Sequence, residues 1–191
     1  QLGARVDNNQ FRPKTGSGFA NRSLTGVSAG FGARFPLWEG GAFVANYTDS
    51  FRSPALEELY NKGPHIGTLT FELGNSDLQR ERSRGFDLSL RHQTDRIQGE
   101  ANVFYYDIDD FVYLAYTGAI EDNLREAEYS QGNARFVGGE IKVGVSLEEH
   151  VLLNLGFDTV DAQLKTGSTP LPRTPPLRGT VGLEVHGGGL S

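Results

Sequence analysis

Between Thr25 and Leu37 the side chains alternate with a period of two. The odd positions are Thr25, Val27, Ala29, Phe31, Ala33, Phe35 and Leu37, while the even ones include Gly26, Ser28, Gly30, Gly32 and Arg34. Successive side chains of an extended strand leave opposite faces, so this stretch reads as a strand with one apolar and one polar side. The rule returns along the chain. Phe43, Ala45, Tyr47 and Phe51, interrupted by Asp49, oppose Asn46, Thr48, Ser50 and Arg52. Phe86, Leu88 and Leu90 oppose Asp87, Ser89 and Arg91, and Ile97, Ala101, Val103 and Tyr105 oppose Gln98, Glu100 and Asn102. Val137, Ile141, Val143 and Val145 oppose Glu140 and Lys142; Val151, Leu153, Leu155 and Phe157 oppose Asn154 and Asp158. Leu177, Val181, Leu183 and Val185 oppose Arg178, Thr180, Glu184 and His186, and a shorter eighth strand spans Leu2 to Asn8.

A soluble sandwich alternates in the same way, so the connections must discriminate. Short polar turns fall near 37–41, 92–96, 146–150 and 186–190, and they alternate with long connections near 9–23, 53–81, 118–132 and 166–175. Short turns on one rim and long loops on the other are the habit of outer-membrane barrels. The expected fold is therefore all-β, an antiparallel transmembrane β-barrel. A mean hydropathy of −0.40 and the lack of any long apolar run exclude a membrane-spanning helix. They do not count against a barrel, whose strands never register as hydrophobic runs.

The 191 residues contain no cysteine, which removes disulfides and thiolate metal sites. The net charge of −6 argues against a nucleic-acid partner. No nucleophile elbow, phosphate loop or Ser-His-Asp arrangement is legible, so the chain is not expected to be an enzyme or to carry a resident cofactor.

The segment Phe51 to Arg91 carries a more specific signal. Pro54, Glu58, Leu59 and Tyr60 form a Pro-x-x-x-Glu-Leu-Tyr motif, followed by Gly74, Asn75 and Leu78 and then by Glu81, Arg82 and Ser83. This pattern resembles TonB-dependent outer-membrane receptors. Gly63, Pro64, His65 and Thr70, Phe71, Glu72 resemble the zinc-uptake branch in particular. Further resemblances follow in the family's order: Gly3 to Asp7, Asn102 to Asp110, Gly138 to Glu140 and Leu171 to Arg178. Such receptors combine a plug with a 22-stranded barrel. The resemblance thus implies about eight consecutive strands of that barrel with the plug absent. The alternative is a small standalone barrel of eight strands, acting as an adhesin or structural protein. The implied role is TonB-dependent uptake of a scarce nutrient, zinc or another metal or metal complex such as a siderophore or haem. The implied setting is the bacterial outer membrane, with the TonB complex reached through a plug and with membrane lipid and lipopolysaccharide as partners.

Within 53–65, Ser53 reads as a helix N-cap, Pro54 as the first helical residue and Gly63 as the exit. The match to the zinc-uptake branch makes His65 the leading metal-ligand candidate, with Glu57, Glu58 and Glu72 as carboxylate donors. A solvated loop histidine is the bland alternative. Tyr60, Asp107, Asp109 and Asp110 are candidates for the ligand mouth, the aspartates being equally readable as a solvated strand exit. Tyr105, Tyr106, Phe111, Tyr113 and Tyr116 read as an interfacial aromatic girdle. Arg80, Arg82 and Arg84 could meet lipid head groups or form ordinary salt bridges. His92, His150 and His186 fall beside short turns, with no zinc-motif spacing.

Overall fold

The structure is a computed structural model and describes residues 1–14, 16, 18–148 and 150–185. In chain order its elements are β1 (Leu2–Phe11), β2 (Arg22–Trp38), β3 (Gly41–Arg52), α1 (Leu56–Tyr60), β4 (Lys62–His65), β5 (Thr70–Leu73), β6 (Glu81–Gln93), β7 (Ile97–Glu121), β8 (Leu124–Glu148), β9 (Val151–Leu164), β10 (Thr169–Pro170) and β11 (Arg178–Val185). All strands join one sheet. Its wall runs β1-β2-β3-β6-β7-β8-β9-β11, each neighbour antiparallel to the last. The expected all-β antiparallel architecture is thus the observed one.

Register extends the alternation across strands, because directly paired residues share a face. One row reads Phe43, Leu90, Ala101, Ile141, Phe157, entirely apolar. A row on the other face reads Ser89, Asn102, Glu140, Asp158, Arg178, entirely polar. Charges on that face are laddered across strands: Arg91 pairs with Glu100 at 2.8 Å and Arg178 with Asp158 at 2.9 Å. The apolar face is left open, with Phe31 57%, Val103 56% and Val181 79% exposed. A soluble sandwich would cover those side chains with a second sheet.

The upper limit of the apolar face crosses the wall diagonally. On β3 it falls between Tyr47 and Asp49, and the ladder row of Asp49 continues through Arg84, Asp107 and Arg135 to Gln163. On β1 the first charged or amide side chain of that face is Asn8, four residues above Ala4 in the Asp49 row; on β9 it is Asp161, two residues below Gln163. The limit thus descends six residues over the six strand-to-strand steps from β1 to β9. At about 3.3 Å per residue and about 4.8 Å per strand, that is roughly 20 Å over 29 Å, an inclination near 35°. Strands of membrane barrels tilt by about that angle, so a level bilayer edge crosses their ladder in this way.

The β2–β3 turn is closed by Gly40, whose φ of +75° suits glycine and whose Cβ position lies 2.3 Å from the Gln93 carbonyl oxygen. Buried clusters gather at the opposite rim. Phe11, Leu59, Leu78 and Val112 form one, and Ala134, Ala162 and Leu171 another.

Several expectations need correction. The stretch 118–132 is not a loop: β7 and β8 run through it as a long hairpin arm that turns at Asp122 and Asn123, both with positive φ. Its register is sustained by pairs such as Tyr116 with Ala127, so the backbone remains hydrogen-bonded where sequence punctuation suggested a break. Ser53 does not cap α1. Ala55 holds that position, the Glu58 carboxylate accepts its N–H at 2.7 Å, and Pro54 lies outside the helix. The exit is Asn61, not Gly63. The aromatic girdle also divides. Tyr105 shares the apolar face with Phe86 and Tyr47, whereas Tyr106 lies on the polar face and donates to Asp87 at 2.7 Å. In keeping with the expected partial barrel, and against the standalone alternative, the eight long strands do not close on one another: β1 pairs with β2 and β11 with β9, and no ladder joins β1 to β11 among the described residues. His186 lies outside the described residues.

Candidate functional site at the long-loop rim

The segment between β3 and β6 is built around Arg52. Its guanidinium donates to Glu81 at 2.6 Å and to Glu58 at 2.9 Å, joining the end of β3, the start of β6 and α1. Glu81 is buried and also accepts the Val112 backbone N–H at 2.7 Å, which ties the segment to the β7–β8 arm. Leu59 is wholly buried against Phe11, Leu78 and Val112. The Gly74 N–H donates to the Asn61 carbonyl at 2.7 Å, and a Cβ on Gly74 would stand 2.6 Å from two backbone nitrogens. Only glycine fits that approach. Most of the signature motif is therefore a structural staple that holds α1 in place.

The segment then returns as the β4–β5 hairpin, which attaches to the β8 arm by parallel pairing of Thr70–Leu73 with Arg125–Glu128. Glu72 anchors it from inside and is only 2% exposed. One carboxylate oxygen accepts from Thr68 at 2.7 Å and Thr70 at 3.2 Å; the other accepts from the Tyr129 hydroxyl at 2.8 Å. His65 Nδ1 stands 3.6 Å from Glu72, beside Thr68.

These groups open on a cleft of about 490 Å³ between the hairpin, the arm and the 171–175 connection. Glu58, His65 and Glu72 line it together with Phe111, Tyr113, Tyr116, Tyr129, Phe136 and Arg173. Phe111 and Phe136 meet edge to face at 5.4 Å. The structure thus brings His65, Glu58 and Glu72 to one cleft. Glu58 is committed to Arg52, and Glu57 sits exposed on the first turn of α1 away from that lining. No set of three or more His, Cys, Asp or Glu side chains suited to a metal ion occurs among the described residues. The cleft offers one imidazole, buried carboxylate charge and aromatic faces.

The other mouth candidates lie elsewhere. Tyr60 packs against Phe19 with tilted rings at 4.9 Å, and its enclosed hydroxyl has no hydrogen-bond partner among the described residues. Asp107 is held by Lys165 at 2.7 Å, and Asp109 by Arg84. Asp110 occupies a bulge with φ +55°, its carbonyl accepting from Gln131 at 2.7 Å. None of the three lines the cleft. Phe111, Tyr113 and Tyr116, expected in an interfacial girdle, line this cleft instead, and Tyr129 escaped sequence reasoning because it lies 57 residues from Glu72 along the chain.

Burial pushes the Glu72 carboxyl up, but hydrogen bonds from Thr68, Tyr129 and Thr70 and the His65 charge outweigh it and hold it below its ordinary value of 4.5. Burial, then the bond to Glu72, keep the Tyr129 phenol well above the usual tyrosine range, so it remains a donor. A depressed carboxyl contributes stability that is complete above its unfolded value and is lost as pH falls through the folded one. Hydrogen exchange of the Thr70–Leu73 amides should therefore accelerate as pH drops below 4.5, after correction for intrinsic rates. Glu72→Gln should remove that dependence. An unchanged acid limb in the variant would assign it to another group.

The sequence profile described as "TonB dependent receptor-like, beta-barrel" matches residues 1–190. The chain belongs to the TonB-dependent receptor β-barrel family. Over 86 residues it is 30% identical to the heme/hemopexin utilization protein C of Haemophilus influenzae, a match covering 38% of this chain and 12% of that protein. Among solved structures, the copper transporter OprC superposes with a TM-score of 0.81 at 19% identity, covering 97% of this chain and 30% of OprC. The Serratia marcescens hemophore receptor HasR, solved with its hemophore HasA and heme, gives 0.66 at 16% identity, covering 98% of this chain and 37% of HasR. The ferric-catecholate import receptor Fiu of E. coli K12 gives 0.64 at 21% identity, covering 96% and 29%. These structures share the fold of this wall, and the chain spans about a third of those receptors' length or less. The family consists of outer-membrane transporters and receptors of Gram-negative bacteria.

Proposed function

We propose that this chain forms part of the wall and outer mouth of an outer-membrane receptor that captures a scarce metal, as an ion or a complex, and imports it with energy delivered by TonB through a plug. The cleft beside His65 and Glu72 carries this reading. It lies at the long-loop rim, the extracellular side of such barrels, and the signature motif is spent on holding it in shape. The printed roles of the relatives, heme utilization, copper transport and ferric-catecholate import, support metal or metal-complex cargo. Among the described residues β1 and β11 each pair on one side only, and because bilayer hydrocarbon does not tolerate an unpaired strand edge, this reading has the wall completed by further strands in the working receptor.

Zinc is the narrower reading. His65 supplies an imidazole and Glu72 negative charge, while a closed zinc site needs four donors, so a plug would provide the rest. In the full-length receptor, His65→Ala should weaken zinc binding at least about tenfold, equivalent to about 1.4 kcal/mol, with little change in barrel stability. Titration calorimetry reads this directly, and an unaltered zinc affinity would remove zinc from the reading. The volume and aromatic lining of the cleft favour a second cargo, a metal complex with a bulky organic ligand, because a bare ion uses neither. A ferric catecholate or a metalloporphyrin in the same titration separates the two.

A further inference from the structure

The β4–β5 hairpin folds the His65 ring back over its own turn. His65 pairs with Thr70 across the hairpin, so the two side chains share a face, and Glu72, two residues further along β5, lies on that face as well. Thr68 stands between them at the turn, half-buried, with its hydroxyl in reach of all three. Gly67 leaves room for the ring: a Cβ there would stand 3.1 Å from the imidazole Cε1.

The Thr68 hydroxyl has one proton and several claimants. Glu72 Oε1 lies 2.7 Å away, His65 Nδ1 3.1 Å and the His65 carbonyl 3.2 Å. The carboxylate is the nearest of these and the charged one, and hydrogen bonds to ionised acceptors are roughly twice as strong as neutral ones, so it takes the proton. The Thr68 oxygen is then left to accept, and Nδ1 must be the ring nitrogen that carries hydrogen. Coulomb attraction agrees, because Nδ1 is the nitrogen that stands 3.6 Å from Glu72. Nε2 has no hydrogen-bond partner among the described residues, and His65 lines the cleft with 54% of its side chain exposed. Glu72, meanwhile, is a buried anion without a fixed cation: the hydroxyls of Thr68, Thr70 and Tyr129 hold it, and His65 is its sole ion-pair neighbour among the described residues. A buried charge calls for compensation. A cation bound at Nε2 supplies it through the relay, and gains in turn from the more basic nitrogen that a carboxylate-linked Nδ1–H produces. We propose that Thr68 is a positioning residue that fixes the His65 proton on Nδ1 and so presents the Nε2 lone pair to the cleft, for a metal centre with a free coordination position. The metal rests on the reading above; the tautomer stands on the hairpin alone.

The test uses the full-length receptor with isotope-labelled histidine in lipid bilayers, the His65 signals being identified by their loss in His65→Ala. Nitrogen NMR tells a protonated ring nitrogen from a bare one. At mildly alkaline pH, where the imidazole is neutral, the receptor without cargo should show hydrogen on Nδ1 and none on Nε2. Hydrogen on Nε2 in the unaltered receptor would overturn the proposal before any variant is made. In Thr68→Val, which keeps the shape and loses the hydroxyl, the proton should redistribute between the two nitrogens, and zinc affinity by titration calorimetry should fall at least about tenfold. Thr68→Ser should restore both. An unchanged tautomer in Thr68→Val, or a loss of zinc affinity that Thr68→Ser fails to restore, would assign Thr68 to packing and overturn the proposal. The cargo reading fails separately: if His65→Ala binds zinc as tightly as the unaltered receptor while the Nδ1 proton still depends on Thr68, the tautomer assignment stands and zinc falls.

Discussion

Leu155→Arg should destabilise the wall by about 2–4 kcal/mol, the cost of an arginine on the lipid face near the bilayer midplane. Leu155 pairs with Val143 on one side and Val181 on the other, so an arginine there has only apolar neighbours in its row. Its depth follows from the inclined boundary. Leu155 lies six residues before Asp161 on β9, which at about 3.3 Å per residue and about 35° of tilt puts it roughly 16 Å below head-group level. An apolar band about 25 Å tall has its middle near that depth. The adjacent Asn154 donates to Glu184 at 2.7 Å on the opposite face, and Asn154→Arg should cost much less. Denaturant titration of the full-length receptor in lipid vesicles compares the two. Equal penalties would mean that the faces are not separated between lipid and lumen.

The second large effect is expected at Leu59→Ala, which should cost about 2–5 kcal/mol of local stability, the range for emptying a buried leucine site. Leu59 has no exposed surface and packs against Phe11 at the end of β1, Val112 on β7 and Leu78 in the connection that leads to β6. Loss of that plug of side chain should release α1 and the β4–β5 hairpin while leaving the distant wall ladders paired. Limited proteolysis should then cut within 53–81 in the variant, and heat-modifiable migration should persist. A variant as resistant as the unaltered receptor would show that the Arg52 bridges alone hold the segment. Cargo affinity should fall with it, since His65 and Glu72 are carried on the released hairpin.

Much of this molecule is written locally. A strand's period of two follows from backbone geometry, so alternation at Thr25–Leu37 and its repeats disclosed the wall before any contact was known. Most of the rim is not local. The residues 118–132 carry Gly118, Asp122 and Asn123, which look like loop punctuation, but cross-strand pairing overrides it and extends the arm. The helix start went astray for a similar reason, because Glu58, held by Arg52, reaches back to the Ala55 N–H and displaces the expected Ser53 cap. Ser53 instead accepts a hydrogen bond from Asn9 at 2.8 Å.

His65, Glu58 and Glu72 could be singled out because they share one short segment whose pattern resembles a known receptor branch. Their partners could not. Tyr129, Phe111 and Arg173 reach the cleft through the β7–β8 arm and the 171–175 connection, and no periodicity links positions so far apart. The division of faces and the strand order thus follow from chain geometry and short connections, which act over a few residues. The aromatic cleft, the burial of Glu72 and the inclined limit of the apolar face depend on which strands become neighbours and in what register, and register is a property of the assembled sheet.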